Sequence, residues 1–278
     1  FLDVPNLAEV IVMEKSKDGG HWFRLWNKVR GRKWGLIVDQ RGSAISSLLR
    51  RERRAVYRRG SGEPVHKVVE AARLLKIDGD PPAPFLFTSP ETEALAEELT
   101  AGAGPILALA PAANWVGKTW PIERFTQTAI RLMAKGAPLH GGRLMILGGP
   151  DDAAVVSSFR DVVSRDRLID LVGKVDLLTS YAALKRARLF IGNDSGLMHL
   201  AAAAGAPTLG LFGPSDDRLY APWGPDARVV RGQRSLDQIR AVDPKLEQAV
   251  CHMMDLSVEA VVAAALDLFQ ATQGAADA

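Results

Sequence analysis

Short apolar runs alternate with amphipathic segments along the chain from about residue 104 onward. The runs lie at 106–110, 143–149, 168–172, 189–193, 207–213 and 228–232. Between them, the spacing of apolar residues and the start signals predict helices over 121–135, 151–165, 178–187 and 196–204. Apolar strands that alternate with helices are typical of a parallel sheet covered on both faces. The pattern therefore predicts a Rossmann-like α/β domain.

The first 80 residues repeat this pattern more faintly. Strands are predicted over 8–13, 34–39 and 55–58, and helices near 21–30, from residue 43 and near 65–75. These two to three βα units are fewer than a complete doubly wound sheet contains. The segment 78–90 contains four prolines and marks a linker, and 257–270 is predicted to be an amphipathic helix.

The composition is that of a globular protein with a substantial core. Of the 278 residues, 47% are hydrophobic, and 35 Lys and Arg residues nearly balance 32 Asp and Glu residues, so charge does not point to a nucleic-acid partner. The single cysteine, Cys251, excludes an intramolecular disulfide and a Cys-rich metal site, and we expect it in the core. No apolar run approaches the roughly 20 residues that span a bilayer, and we expect a cytoplasmic protein.

Basic residues are unevenly distributed, because six arginines fall within ten positions. They are Arg50, Arg51, Arg53, Arg54, Arg58 and Arg59. A solvated surface is one interpretation of this cluster. Contact with an anionic partner, such as a phosphorylated glycan or a membrane surface, is the other.

Polar, glycine-containing turns follow five of the predicted strands. They occupy 111–118, 148–152, 173–176, 192–196 and 213–217. In an open parallel sheet, the carboxyl ends of the strands share one edge, and ligands bind at that edge. We therefore expect all five turns to line the same edge of the sheet.

The turn at 192–196 reads GNDSG and leads into an alanine-rich helical segment. Its serine occupies the fourth position, so the G-x-S-x-G pattern of a serine nucleophile elbow is not met. Asp194 does stand at the third position. This leaves open an aspartate-nucleophile α/β hydrolase with His199 or His252 as its base.

A second interpretation of the same turn is an anion site. Asp194 is a good N-cap residue, and the N–H groups of Ser195, Gly196 and Leu197 would then be available to an anion. Gly196 has no side chain, so a phosphate could approach the backbone closely. A third interpretation is that Asp194 only caps a buried helix.

The turn at 111–118 carries one lysine, Lys118, in an otherwise uncharged loop. A lysine there is a suitable counter-charge for a diphosphate, although an isolated lysine is more often a simple surface residue. The segment is not a P-loop, because Ala112 stands where that motif needs its first glycine.

Several motifs follow one another in a defined order. They are A-A-N-x-x-x-K-x-W-P at 112–121, L-G-G-P-D-D at 147–152, V-G-K at 172–174, D-S-G-L-M-H-L-A-A-A at 194–203 and L-F-G-P-S-D at 211–216. In this order they resemble the bacterial ADP-heptose:lipopolysaccharide heptosyltransferases, glycosyltransferase family 9. The resemblance is close over 104–265 and looser over the first 80 residues.

The resemblance implies a GT-B fold, an α/β architecture in which two Rossmann-like domains face a cleft. On that pattern, 1–85 is a partial N-terminal domain on the acceptor side, and 86–103 contains a linker and the start of the second domain. Residues 104–256 form the C-terminal domain that binds the nucleotide sugar, and 257–278 form a C-terminal helix and tail. The N-terminal domain is expected to be incomplete.

The resemblance also implies roles for residues that match the family's motifs. The donor diphosphate would be bound by Lys118, Asn114, Ser195, Gly196 and Leu197. The donor sugar would face Asp194, with support from His199. The nucleoside would contact Asp151 or Asp152 through its ribose and Val175 through its adenine.

The implied activity is an inverting transfer of heptose from an ADP-activated donor to a lipopolysaccharide core or similar glycan acceptor, at the cytoplasmic face of the inner membrane. No cofactor or metal is expected, because Lys118 and a helix N-terminus can stabilise the departing ADP. The family's general base is an aspartate in a loop that we expect upstream of Phe1, and a chain without that loop is expected to be inactive. The alternative is a nucleotide-sugar-binding protein without catalysis.

Overall fold

The computed structural model describes residues 3–57, 63–159, 162–246 and 249–273. They belong to two compact units that divide after Pro82, within the predicted linker segment 78–90. None of the described helices is both long and apolar enough to cross a bilayer.

The N-terminal unit, as far as it is described, contains two parallel strands. β1 (Trp34–Asp39) pairs with β2 (Arg51–Val56), so that Trp34 lies opposite Arg51 and Asp39 opposite Val56. The accompanying helices are α1 (Gly20–Val29), α2 (Ile45–Leu48) and α3 (Lys67–Leu75). The predicted strand at 34–39 and the predicted helices near 21–30 and 65–75 are confirmed.

One strand prediction in this unit is wrong, and a second places the start of its strand too late. The segment 8–13 has no regular structure, and Val12 is 85% exposed. A short apolar run becomes a strand only where a neighbouring strand accepts its backbone hydrogen bonds, and none of the described strands does so here. β2 begins at Arg51 rather than at residue 55, so the arginine-rich stretch is itself extended; Arg58 and Arg59 lie outside the described residues.

The C-terminal unit contains, in its described part, a six-stranded parallel sheet with the order β5-β4-β3-β6-β7-β8. The strands are β3 (Ile106–Ala110), β4 (Arg143–Ile146), β5 (Leu168–Asp170), β6 (Leu189–Asn193), β7 (Thr208–Phe212) and β8 (Ala227–Arg231). Each predicted apolar run in this half therefore contains a strand. The order is that of the dinucleotide-binding Rossmann fold, 3-2-1-4-5-6.

The helices of this unit cover both faces of the sheet. They are α4 (Pro90–Leu99), α5 (Ile122–Met133), α6 (Leu177–Leu184), α7 (Gly196–Ala203), α8 (Asp217–Tyr220), α9 (Leu236–Val242) and α10 (Val258–Gln273). Side chains of α5 and α10 form one apolar cluster with Leu107 and Leu109, whereas α4, α6 and α7 form another with Ile106 and Ala108. Successive residues of β3 thus point to opposite layers, which explains why the whole strand is apolar.

The segment predicted as a helix over 151–165 is different in the structure. It forms a 3₁₀ helix over Pro150–Phe159, and residues 160–161 lie outside the described part. Its valines and serines have low α-helix propensity, which is consistent with the tighter, less regular winding. Helices α4, α8 and α9 were not predicted as separate elements.

Candidate functional site

The order of the strands reverses between β3 and β6, which are neighbours at the centre of the sheet. The chain runs outward from β3 to β5 on one side and from β6 to β8 on the other. In open α/β sheets, the crevice outside the carboxyl ends of two such strands is the usual place for a ligand. Because every strand is parallel, the five polar turns all lie at this same edge, as predicted.

Asn193 joins the loops that leave β3 and β6. Its side chain is fully buried. Oδ1 accepts a hydrogen bond from the N–H of Trp120 at 3.0 Å, and Nδ2 donates to the carbonyl of Pro111 at 2.7 Å. Both ends of the loop that carries Lys118 are therefore attached to the end of β6. Sequence reasoning did not single out Asn193, although a polar residue at the end of a buried apolar strand was the available signal.

Asp194 does not cap α7, so that part of the prediction is wrong. The N-cap is Ser195, in extended conformation, and its own side chain makes no capping bond. Asp194 Oδ2 instead accepts a hydrogen bond from Ser215 Oγ at 2.6 Å and lies 3.4 Å from Lys118 Nζ. For a carboxylate that is only 7% exposed, a cation and a hydroxyl are stronger partners than backbone N–H groups.

The start of α7 is left open as a result. The first-turn N–H groups, at Gly196, Leu197 and Met198, have no carbonyl four residues earlier within the helix to donate to. Gly196 is exposed, and a Cβ atom added there would meet nothing within 4 Å. The Ser195 hydroxyl is buried without a hydrogen-bond partner in the described part of the chain. This combination of unpaired donors, positive helix dipole and open space is suited to an anion.

Lys118 brings a full positive charge to the same place. It ends a 3₁₀ turn, Val116–Lys118, and its side chain is 19% exposed. An ammonium group carries three N–H donors, so Lys118 can contact Asp194 and still donate to a ligand. The partial neutralisation by Asp194 makes the half-buried lysine less costly in the absence of a ligand.

The turn after β7 completes this group; the sequence predicts the turn at 213–217, but not the part that Ser215 plays in it. Ser215 supplies the short hydrogen bond to Asp194, and its carbonyl accepts one from Arg231 Nη2 at 2.7 Å. Arg231, at the end of β8, also donates to Asp217 Oδ1 at 2.5 Å. The next residue, Asp216, has its pKa below the usual value because of its hydrogen bond with the Arg218 guanidinium. Arg231 therefore holds this turn in addition to the hydrogen bond between Ser215 and Asp194.

The remaining predicted site residues lie on neighbouring turns of the same edge. Asn114 is exposed and makes no side-chain hydrogen bond within the described residues, and His199 is exposed on α7. Asp151 is exposed, whereas Asp152 accepts a hydrogen bond from the N–H of Gly149 at 2.7 Å. Val175 is half-buried and packs against the cluster formed with α4, α6 and α7. The structure therefore brings Lys118 and Asp194 together with the start of α7, and the other residues surround them.

The aspartate-nucleophile interpretation is not favoured by these contacts. His252, one of the two histidines considered as its base, is bonded to Asp243 rather than to Asp194.

Cys251 is half-buried and donates to the carbonyl of Thr119 at 3.2 Å, so it is not a core residue in the strict sense.

Comparison with known proteins decides the family. The profile of glycosyltransferase family 9 (heptosyltransferase) matches residues 64–248, which is well over half of the chain. The chain belongs to glycosyltransferase family 9. The motifs that carried the resemblance, including the Lys118 loop and the turn at 192–196, lie within the matched region.

Curated heptosyltransferases are also similar to this chain, over a smaller part of its length. A lipooligosaccharide heptosyltransferase 2 from Haemophilus influenzae is 28% identical over 158 residues, or 53% of this chain and 44% of that protein. A lipopolysaccharide heptosyltransferase 3 from Escherichia coli is 32% identical over 115 residues, or 41% of this chain and 32% of that protein. The matches thus span less than half the length of these curated relatives.

A solved structure extends the likeness to the fold of nearly the whole chain. The crystal structure of a family 9 glycosyltransferase from Veillonella parvula has a TM-score of 0.74 at 21% identity, and the match covers 96% of this chain and 83% of that one. The predicted α/β fold of the GT-B type is confirmed.

Proposed function

We propose that this protein is an inverting glycosyltransferase that moves heptose from an ADP-activated donor to a lipopolysaccharide core acceptor. The observation that carries the proposal is the juxtaposition of Lys118, Asp194 and the open start of α7 at the switch point of the sheet, in a member of family 9. The names of the curated relatives, lipooligosaccharide and lipopolysaccharide heptosyltransferases, support the sugar and the acceptor class.

The donor is proposed to lie across the carboxyl edge with its diphosphate between β3 and β6. Lys118 and the N–H groups at the start of α7, those of Ser195, Gly196, Leu197 and Met198, would bind the phosphate oxygens, with Asn114 adding a hydrogen bond. Asp194 and His199 would face the sugar. On the other side of the switch point, Asp151 or Asp152 would contact the ribose and Val175 the adenine. The open space next to Gly196 supports this placement of the phosphates.

The chemistry that follows is a single displacement. An acceptor hydroxyl gives its proton to a general base and attacks the anomeric carbon, the bond between that carbon and the phosphate oxygen breaks, and ADP departs with an additional negative charge. Lys118 and the helix dipole would stabilise this charge more in the transition state than in the bound donor, which is the condition for catalysis. We infer that these groups suffice without a metal ion, and activity that survives an excess of EDTA would support this.

The acceptor side is proposed to involve the arginines of the N-terminal unit. Arg51, Arg53 and Arg54 lie on β2, with side chains that are exposed or half-buried. Arginine is the side chain best suited to bidentate contacts with phosphate groups. A phosphate-bearing glycan at a membrane surface would therefore be attracted to this strand, and peripheral contact with the inner membrane belongs to the same proposal.

The test is a transfer assay with the protein as the cell makes it. ADP-heptose and a lipopolysaccharide core acceptor are incubated with the protein, and the product is identified by mass spectrometry and its anomeric configuration by NMR. The expected result is one added heptose with inverted configuration, and much slower transfer from UDP-sugars. Tight binding of ADP-heptose without transfer would instead support a nucleotide-sugar-binding protein. Binding of neither ADP nor ADP-heptose would contradict the proposal.

A further inference from the structure

A buried acid–base pair lies next to the loop that carries Lys118. His252 Nε2 is 3.1 Å from Asp243 Oδ2, and each side chain is only 4% exposed. Because an ionised carboxylate can only accept hydrogen bonds, His252 donates from Nε2. Moving these groups out of water costs desolvation free energy, and neither residue belongs to the donor site described above. The contacts of the pair therefore need an explanation of their own.

His252 contacts the Lys118 loop through both its backbone and its ring. Its N–H donates to the carbonyl of Gly117 at 3.0 Å, and its ring centroid lies 5.8 Å from a ring of Trp115. Trp115 in turn packs on Gly117, where a Cβ atom would come within 2.3 Å of the indole. The backbone of the turn Val116–Lys118 is thus held between Trp115 and His252.

The segment around His252 is attached to the same loop on both sides of that contact. Cys251 Sγ donates to the carbonyl of Thr119 at 3.2 Å, and the indole N–H of Trp120 donates to the carbonyl of Leu256 at 3.0 Å. The loop therefore cannot shift relative to 251–256 without breaking several hydrogen bonds. Asp243, which follows α9, fixes the orientation of the imidazole within this arrangement.

We propose that the Asp243–His252 pair is a positioning element for Lys118. By holding the His252 ring against Trp115, it keeps the turn Val116–Lys118 in the conformation in which the Lys118 ammonium reaches the start of α7. The role in donor binding rests on the proposed function, because it matters only if Lys118 contacts the diphosphate. The effect on the conformation of the turn stands without that assumption.

The test uses Asp243→Ala and two readouts. Amide hydrogen exchange of residues 116–119 is measured in the ligand-free protein, and binding of ADP and adenosine is measured by calorimetry. We expect faster exchange in the turn and ADP binding that is weaker by about 5- to 20-fold. A change of this size corresponds to the net free energy of one or two hydrogen bonds. Adenosine binding should stay within about twofold, because adenosine lacks the phosphates that Lys118 is proposed to contact.

Thr208→Val is the matched control. Thr208 is fully buried at the opposite end of β7, and its hydroxyl donates to the carbonyl of Ala206 at 2.7 Å. The control should lose stability without altering exchange in the turn or the affinity for ADP. Unchanged exchange at 116–119 in Asp243→Ala would overturn the positioning role. If the unaltered protein fails to bind ADP, the proposed function is contradicted, whereas the exchange measurement still decides the positioning role.

A second pair of variants keeps the test decisive if Asp243→Ala does not fold. Asp243→Asn retains an oxygen that accepts from His252, and it should behave like the unaltered protein. His252→Gln retains a donor toward Asp243 but removes the ring from Trp115, so it should speed exchange in the turn and weaken ADP binding. Equal behaviour of these two variants would contradict the inference.

Discussion

Positively charged side chains lie at both the carboxyl ends and the amino ends of the strands in the six-stranded sheet, called here the carboxyl edge and the amino edge. Their contacts differ between the two edges. At the carboxyl edge, Lys118 lies beside the open start of α7, whose first-turn N–H groups have no acceptor within the helix. At the amino edge, three arginines line a cavity of about 600 Å³. There, Arg143 donates to the carbonyls of Thr100 and Ala101, just past the end of α4.

A second arginine at the amino edge, Arg186, also donates a hydrogen bond to a carbonyl near the end of a helix. Its partner is the carbonyl of Ala182 in α6, at 2.6 Å, and Arg186 also contacts Glu93. Cations near helix C-termini satisfy exposed carbonyls and oppose the negative end of the dipole. At the amino edge the arginines therefore stabilise the fold by bonding to helix carbonyls, whereas at the carboxyl edge Lys118 and the open start of α7 are the groups proposed to bind an anion.

The roles of the two edges can be distinguished most clearly by removing one buried polar side chain from each. Asn193→Ala removes both hydrogen bonds that attach the two ends of the Lys118 loop to β6, and Arg143→Met removes those to the end of α4. Each should lower the free energy of unfolding by about 2 to 4 kcal/mol, since buried backbone groups lose their partners. Chemical denaturation measures this loss.

Binding should then distinguish these equally destabilised variants. Only Asn193→Ala should weaken ADP binding, by at least about tenfold, because its loop carries Lys118. Arg143→Met should bind ADP as the unaltered protein does. If Arg143→Met were the one to lose ADP, the assignment of the two edges would be reversed.

Removing the lysine itself is expected to affect both binding and stability. Lys118→Ala should weaken ADP binding by about 10- to 100-fold, the range for a hydrogen bond to a charged group. It should also lower the free energy of unfolding by about 1 to 3 kcal/mol, because the buried Asp194 carboxylate loses its cation and keeps only Ser215. Lys135→Ala is the control, because Lys135 is exposed just after α5. Equal affinity of both variants in a calorimetric titration would remove Lys118 from the site.

Ser215→Ala should have a smaller and more selective effect. It deprives Asp194 of the 2.6 Å hydrogen bond that fixes its carboxylate, while Lys118 remains. Because Asp194 is proposed to face the sugar, ADP-heptose should bind about 3- to 10-fold more weakly and ADP within about twofold. Competition binding with the two ligands measures the difference, and a parallel loss for both would place Ser215 on the diphosphate instead.

The smallest effect is expected near the amino edge, where Glu93 on α4 contacts Lys185 and Arg186, which follow the end of α6. The hydrogen bond from Lys185 is the largest influence that holds the pKa of Glu93 below its usual 4.5. This lowered pKa stabilises the fold above pH 4.5, and the contribution is lost as the pH falls through the folded-state value. Glu93→Gln should therefore cost up to about 1 kcal/mol at neutral pH.

Urea denaturation at several pH values measures that dependence. The gap between Glu93→Gln and the unaltered protein should be full at neutral pH and should close in acid. ADP binding should not change. A gap that widens on acidification would contradict the assigned direction of the pKa.

Much of the C-terminal unit could be predicted from the sequence because its inner strands, β3, β4, β6 and β7, are buried on both faces. Such strands must be apolar along their whole length, which makes them visible as runs, and parallel pairing then places all the turns at one edge. The same reasoning failed at 8–13, because an apolar run does not by itself provide a neighbouring strand.

The contacts within the site were less predictable than its location. Asn193 bonds to residues 73 and 82 positions away, and no local pattern encodes such partners. The position of Asp194 in the sequence predicts a helix cap. In the structure its carboxylate instead contacts Ser215 and Lys118, which are both distant along the chain. Local propensity identified the turn, and tertiary contacts determined what each side chain in it does.

Residue-resolved amide hydrogen exchange with ADP, and with adenosine as the comparison, tests the central claim most directly. If the phosphates bind between β3 and β6, ADP should slow exchange at Gly196, Leu197 and Met198 and in the turn Val116–Lys118, whereas adenosine should leave these amides unchanged. Protection by ADP at the amino edge around Arg186 and Arg188, with none at the start of α7, would contradict the claim.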